Sequence, residues 1–258
     1  MKLTEKDISY RVDDGMVNYA RAVTKYNDRP FVLTEKLGWV KTFPTVWTNY
    51  IFFADFSTGN IDEEISGVIS KMKSGELPNF WLVGSKSKPI DLCERLEKHS
   101  LIKQTDLAGM AFDLTQMNID IAIPENLVIR AVDSDSDLQV WVDFVSAVLW
   151  NGGTFEASLF EKYIHDPNFR FYHAFLNGEL VASSMVEIAN ETASLDMIAT
   201  LEQYRNIGIG TVMTKFPLLY ARDRGCEIAV LQASHEGESL YRKVGFREYF
   251  RYSGYIYQ

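Results

Sequence analysis

The sequence predicts an α/β (α+β) protein built on a mixed, mostly antiparallel twisted sheet flanked by helices. Three observations predict it. Asn177-Gly178 is a strong hairpin signal joining Phe169–Leu176 to Leu180–Ile188, and Ala193–Thr200 follows as a third strand of a meander. A glycine turn at Gly208 and Gly210 then opens a long apolar-striped helix, which leads to a buried-type strand, Ile228–Gln232. The first half passes through a similar order of strands and helices.

In the first half, Asp14–Tyr26 reads as a helix, and Trp39–Val40 and Val46–Phe56 read as strands. Asp62–Met72 reads as an amphipathic helix closed by Ser74-Gly75, and Phe80–Val83 as a short strand. Pro89–His99 reads as a helix with Pro in its first turn, and Leu107–Leu114 as a strand. Met117–Glu125, with Pro124, reads as a linker. Leu127–Ala131 then alternates like a strand. Asp133, Ser134 and Asp135 offer caps for the periodic run Leu138–Trp150, which Gly152-Gly153 breaks. A second helix is expected over Glu156–Ile164, ending near Pro167. The helix after the glycine turn is apolar at positions 209, 212, 213, 216, 219 and 220. Pro217 predicts a kink in it, and Gly225 a C-cap. Gly237–Val244 is a short helix ended by Gly245, and the tail from Phe246 is aromatic and strand-like.

The chain has 258 residues, 47% hydrophobic and 24% charged, the balance of an ordinary globular protein. One large or two small domains fit. The formal net charge is −9, and acidic residues outnumber basic ones in both halves. That argues against nonspecific nucleic-acid binding and against a polybasic membrane arm. The longest uncharged stretch, Thr42–Ala54, is far short of the ~20 apolar residues of a membrane helix. The start of the chain has no apolar signal-peptide core. Cys93 and Cys226 make neither a disulfide framework nor a metal motif, and read as buried thiols in a reducing cytoplasm. His99, His165, His173 and His235 stand in no metal-ligand spacing, so no metal is expected.

The Gly208/Gly210 turn is the chemical centre. Free N–H groups at a helix N-terminus attract anions, glycine lets a phosphate approach the backbone, and Arg205 adds positive charge. The spacing is neither the dinucleotide GxGxxG nor a Walker loop. Close backbone packing would account for the glycines as well.

The run Ile198-Ala-Thr-Leu-Glu-Gln-Tyr-Arg-Asn-Ile-Gly-Ile-Gly-Thr211 resembles motif A of the GNAT N-acetyltransferases, whose core is Q/R-x-x-G-x-G/A. Arg205, Gly208 and Gly210 fill those positions. Val230-Leu-Gln-Ala-Ser234 and Leu240-Tyr-Arg-Lys-Val-Gly-Phe246 resemble the family's later strand and its LYxKxGF segment. The resemblance covers about residues 127–258. It implies an acetyltransferase with acetyl-CoA as cosubstrate and an amine as acceptor. It also implies that backbone at Ile198, Ala199 and Thr200 pairs with the pantetheine arm. The turn of Arg205, Asn206, Ile207, Gly208, Ile209, Gly210 and Thr211 would hold the pyrophosphate. Ser234 stands where many relatives place a pantetheine contact, often Asn. Glu202 replaces the usual Pro and Asn206 the usual small residue, and neither removes a backbone N–H from the turn.

Acyl transfer to an amine needs a base or water chain to take a proton, and the departing thiolate needs support. Tyr241 matches the family's usual general acid, and otherwise its ring packs under the sheet. Asp196 stands where the family commonly places a base, and Glu187, one strand earlier, is its rival. Either is otherwise a solvent-facing strand residue. His235 lies near the expected thioester.

A fainter signal is an internal repeat. Aligning Lys98-His-Ser-Leu101 with Lys243-Val-Gly-Phe246 puts Gly109 opposite Gly254, and Trp81-Leu-Val-Gly-Ser85 is similar to Val230-Leu-Gln-Ala-Ser234. The chain therefore reads as two tandem GNAT-like modules. Residues 1–120 would be a degenerate or accessory α/β domain, and 126–258 the catalytic domain. In the first, Ser57-Thr-Gly-Asn60 replaces the anion turn and Leu96 replaces Tyr241. That module is expected to bind no CoA and to wall the acceptor site or form an interface. The leading reading is a cytoplasmic N-acetyltransferase acting by direct attack of a primary amine, with the acceptor near Trp150-Asn-Gly-Gly153. A homodimer, with no nucleic-acid or membrane partner, is expected. The alternatives are a CoA-binding sensor without turnover and a tandem-GNAT aminoacyl transferase. The acidic charge and the intact pyrophosphate motif count against the latter.

Overall fold

The computed structural model describes residues 4–26, 28–42, 49–116, 121–150 and 157–258. The chain runs α1 (Glu5–Ala22), β1 (Phe31–Leu33), β2 (Leu37–Lys41), β3 (Asn49–Ala54), α2 (Ile61–Lys73), β4 (Trp81–Val83), α3 (Leu92–Lys98) and β5 (Ile102–Asp113). It continues β6 (Leu127–Ala131), α4 (Asp135–Trp150), β7 (Phe169–Leu176), β8 (Glu179–Ala189), β9 (Thr192–Thr200), α5 (Ile209–Asp223), β10 (Ile228–Ala233), α6 (His235–Val244) and β11 (Arg247–Ile256). Two compact units form, Met1–Gly109 with Glu248–Gln258, and Met110–Arg247. The mixed, mostly antiparallel sheet flanked by helices is the one the sequence predicts.

In the first unit the strand order is β1-β2-β3-β4-β11-β5. β1, β2 and β3 pair antiparallel, β3 and β4 parallel, and β4 and β11 antiparallel. β3 sends side chains to two cores, and a bulge at Phe52 breaks strict alternation, so that Ile51 and Ala54 share one of them. Ile51 and Ala54 join Ile65, Ile69 and Leu96 of α2 and α3, while Tyr50 and Phe52 join Ala20 of α1. α1 starts much earlier than Asp14, because Thr4 and Asp7 form a reciprocal capping box. Asp13 of α1 is buried at the end of β4, where its Oδ2 accepts from Ser85 Oγ at 2.6 Å and from the Lys86 amide at 2.8 Å.

The second unit has the order β5-β10-β9-β8-β7-β6. β6 to β9 form the antiparallel meander, and β10 joins β9 in parallel. One face carries the aromatic cluster of Trp141, Phe160 and Phe171, with ring centroids 5.0 to 5.9 Å apart. The opposite face packs against α5, where Tyr172 meets Phe216 edge-on.

The helix expected over Glu156–Ile164 is a 3-10 turn, Ala157–Leu159, followed by further turns; Glu156 lies outside the described residues. Phe160, Tyr163 and Asp166 donate in i→i−3 steps. In this winding Leu159, Phe160 and Tyr163 are all buried, and the Phe160 and Tyr163 rings pack on Phe171 and Phe169 of β7. α5 runs unbroken through Pro217, which is buried. Part of the Val46–Phe56 strand, part of the Met117–Glu125 linker and the Gly152-Gly153 break lie outside the described residues.

The aligned glycines of the repeat are reciprocally placed. A Cβ on Gly109 would lie 3.0 Å from the Phe250 ring, and one on Gly254 would lie 2.5 Å from Thr105 Cγ2 and from Phe80 Cζ. The same alignment matches Thr105 with Phe250. Each glycine thus sits under the residue aligned with the cover of the other. Gly254→Ala is expected to cost about 1–3 kcal/mol by overpacking and Gly109→Ala less, measured by denaturant unfolding.

Candidate active site

Three local features of the second unit assemble the site. The first is a strand pair that ends early. β9 and β10 share the rungs Thr192↔Ile228, Ala193↔Ala229 and Ser194↔Val230, and the register stops there. From Leu195 to Thr200 the ladder of β9 is with β8 alone.

The second is a β-bulge. Ser183 pairs with Ala199 and Met185 with Asp196, so Met197 and Ile198 together oppose Ser184. Met197 takes a φ of +53, a left-handed conformation costing of order 1–3 kcal/mol for a non-glycine residue. Two hydrogen bonds hold it. Its N–H donates to Asp196 Oδ1 at 2.7 Å, and its carbonyl accepts from the buried Ser183 Oγ at 3.1 Å.

The third is the glycine turn. Gly208 is the N-cap of α5 with φ +93, and Asn206 has φ +65. The first intrahelical bond runs from the Val212 N–H to the Gly208 carbonyl at 3.1 Å. The N–H groups of Ile209, Gly210 and Thr211 precede it. No side chain caps them and no acidic residue stands in the first turn. This is the arrangement that draws an anion. Gly208 is needed for its positive φ, and Gly210 for closeness, since a Cβ there would lie 3.1 Å from Leu240 of α6. Arg205 is exposed beside the turn and its Nε donates to the Thr200 carbonyl at 3.3 Å.

The structure brings Asp196 and Tyr241 within electrostatic reach of each other. Burial pushes the Asp196 carboxyl up to about 6, against the pull of the Met197 amide. Burial, and then the charge of Asp196, raise the Tyr241 phenol well above its ordinary range. At neutral pH the tyrosine therefore keeps its proton and the aspartate has released its own. Two groups pushed apart in this way are suited to donor and acceptor roles. The Tyr241 ring lies across Gly237, where a Cβ would be 2.8 Å from Cε2, and packs edge-on to Phe246.

Glu187 differs. It is 3% exposed, opposite Phe169 and Ser194, and its Oε2 has no hydrogen-bond partner. Burial and the nearby Asp166 push its carboxyl up to about 8, against a hydrogen bond from Ser194. It is neutral at pH 7 and is not solvent-facing. Ser234 is the N-cap of α6, where its Oγ accepts from the Gly237 amide at 3.4 Å. The Cys226 thiol is buried and pushed up to about 11, so it stays protonated. Trp150 ends α4, and residues 151–153, where the acceptor was expected, lie outside the described residues. Among the described residues no three His, Cys, Asp or Glu side chains gather as a metal site, and no helix is long and apolar enough to cross a membrane.

Sequence reasoning missed Met197, Ser183 and Gly237. Only Gly237 carried a signal, its i, i+4 spacing from Tyr241.

Residues 138–246 match the model of the acetyltransferase (GNAT) family. The matched stretch runs from α4 through α6. No curated protein sequence matches the chain. Among solved structures, the chain is similar in fold to a GCN5-related N-acetyltransferase from Kribbella flavida, at 15% identity and TM-score 0.74, over 96% of this chain and 95% of that one. It is similar to a GCN5-related N-acetyltransferase from Sphaerobacter thermophilus at 12% identity and TM-score 0.64, over 98% and 93%. A functionally unknown conserved protein from Staphylococcus epidermidis is similar at 12% identity and TM-score 0.60, over 90% and 94%.

The raised carboxyl of Glu187 makes stability pH-dependent with a definite sign. Folding raises its proton affinity above the ordinary 4.5, so its contribution is complete below that pH and is lost as pH rises toward 8. Between pH 6 and 8 stability is expected to fall by up to about 1.4 kcal/mol per pH unit from this group. Glu187→Gln should flatten that slope in unfolding experiments at pH 6, 7 and 8.

Proposed function

We propose that the chain is an acetyl-CoA-dependent N-acetyltransferase whose second unit carries the reaction. The observation that supports it best is the open α5 N-terminus at the end of a β9 edge freed from β10, with Asp196 and Tyr241 within electrostatic reach of each other. In this reading the β9 backbone at Ile198, Ala199 and Thr200 offers hydrogen bonds to the pantetheine amides, as an added strand would. The amides of the Gly208–Thr211 turn and Arg205 hold the diphosphate.

Acetyl-CoA supplies the activated acetyl group as a thioester. Asp196, ionised above about pH 6, takes a proton from the incoming amine, directly or through water. The nitrogen lone pair forms the new bond to the carbonyl carbon, and the carbon–sulfur bond breaks. Tyr241 donates a hydrogen bond to the departing sulfur. Its phenol is a weaker acid than a thiol of ordinary pKa ~8.5, so the sulfur leaves as thiolate and is protonated from solvent. Glu187, neutral at pH 7, is a structural acid here. The closeness of Asp196 and Tyr241 favours turnover over a binding-only module. The acceptor is a primary amine of a small molecule or peptide.

The first unit is proposed to hold no CoA. α2 is capped by the Asn60 side chain, which accepts from the Glu63 amide, and Asp62, Glu63 and Glu64 crowd its first turn, a poor place for a phosphate. The edge of β3 past its single rung with β4 is taken by Lys88, whose N–H donates to Ala54 O at 2.8 Å and whose carbonyl accepts from Phe56 N at 3.1 Å. Leu96 is fully buried in the core.

Calorimetric titration with acetyl-CoA is expected to give one equivalent per chain, and Arg205→Glu to weaken it at least tenfold by placing an anion beside the diphosphate. Two equivalents would end the degenerate reading of the first unit, and none would end the acetyltransferase reading. In amine-dependent thiol release, kcat should rise through about pH 6, and Asp196→Asn should lose that limb. Tyr241→Phe should lower kcat about 10- to 100-fold while leaving acetyl-CoA affinity within about twofold.

A further inference from the structure

The mouth of the gap between β9 and β10 carries a contact that the transfer chemistry does not use. One lip is the end of β9 at Thr200, and the other is the first turn of α6, which directly follows β10. Arg205 reaches both. Its Nε donates to the Thr200 carbonyl at 3.3 Å, and its Nη1 lies 3.9 Å from Glu236 Oε2. The two side chains are 48% and 86% exposed, so packing does not hold them together. The first turn of α6 carries a second acid, Glu238, but its Oε2 is engaged by Arg242 Nη2 at 3.4 Å. The α5 first turn carries no acid. Glu236 is thus the carboxylate whose charge is turned toward the arginine of the anion turn.

We propose that Glu236 is an intramolecular competitor for Arg205. A diphosphate ligand must displace Glu236 from the guanidinium to settle on the turn, and Glu236 reclaims the guanidinium as the ligand leaves. It thereby sets both the affinity and the residence time of the cosubstrate. The inference rests on reading the turn as the acetyl-CoA site. An exposed ion pair of this kind is worth a factor of about 1.5 to 5 in an equilibrium constant, and repulsion between the carboxylate and the diphosphate adds to it.

The test is titration with acetyl-CoA, with dissociation followed by stopped flow, for the wild type and for Glu236→Gln, Glu238→Gln, Arg205→Gln and the Arg205→Gln/Glu236→Gln double variant. Glu236→Gln is expected to bind about 2- to 10-fold tighter, with most of the gain in slower dissociation. Glu238→Gln should match the wild type. The gain should vanish in the Arg205→Gln background and shrink at high salt. Equal affinity of Glu236→Gln and wild type would overturn the proposal. So would an equal gain from Glu238→Gln, which would mark a general field effect, or a gain that persists without Arg205. A wild type that binds no acetyl-CoA would instead remove the reading of the turn on which the proposal rests.

Discussion

A parallel strand pair that stops after Ser194 and Val230 is the constraint around which the second unit is arranged. Backbone N–H and C=O groups inside a sheet require partners. A strand that leaves its neighbour halfway therefore presents an edge suited to another extended chain. The bulge at Met197 lies on that same stretch, where an extra residue bends a strand and increases its twist. The left-handed φ there is strained, and Asp196 and Ser183 hold the bulge from both its N–H and its carbonyl. The carboxylate proposed to take the amine proton is thus also part of the brace that shapes the strand.

The two units solve the same topology with opposite outcomes. Both contain a strand, a helix and a strand parallel to the first. In the first unit the helix N-terminus is closed by Asn60, the strand edge is closed by Lys88, and Asp13 of α1 is buried against the chain that follows β4. In the second, glycine replaces the capping side chain and the helix amides stay open. An uncapped helix start costs stability, about 1 kcal/mol for a lost side-chain cap. That cost is tolerable where a ligand is to supply the missing acceptor.

Electrostatics sort the three acidic and phenolic candidates by surroundings rather than by residue type. Asp196 keeps one hydrogen bond and stays near the working range, so it changes charge around pH 6. Glu187 is buried beside another acid and stays neutral. Tyr241 is desolvated within electrostatic reach of the Asp196 carboxylate and holds its proton. The same face of β8 and β9 carries both acids, so strand alternation alone does not separate their roles.

Much of this was legible in the chain. Hairpin chemistry at Asn177-Gly178 fixed the meander, because few residue pairs accept positive φ twice in succession. Gly208 and Gly210 marked the glycine turn for a similar backbone reason, and the capping residues ahead of Leu138 marked the start of α4. Such signals are local, and a local conformational preference is written in a few consecutive residues. The bulge at Met197, the reach of Tyr241 to Asp196, the burial of Glu187 and the closing of the β3 edge by Lys88 were not legible. Each depends on residues distant in sequence meeting across strands or between helix and sheet. Desolvation, which sets the protonation of these groups, exists only once those partners have excluded water.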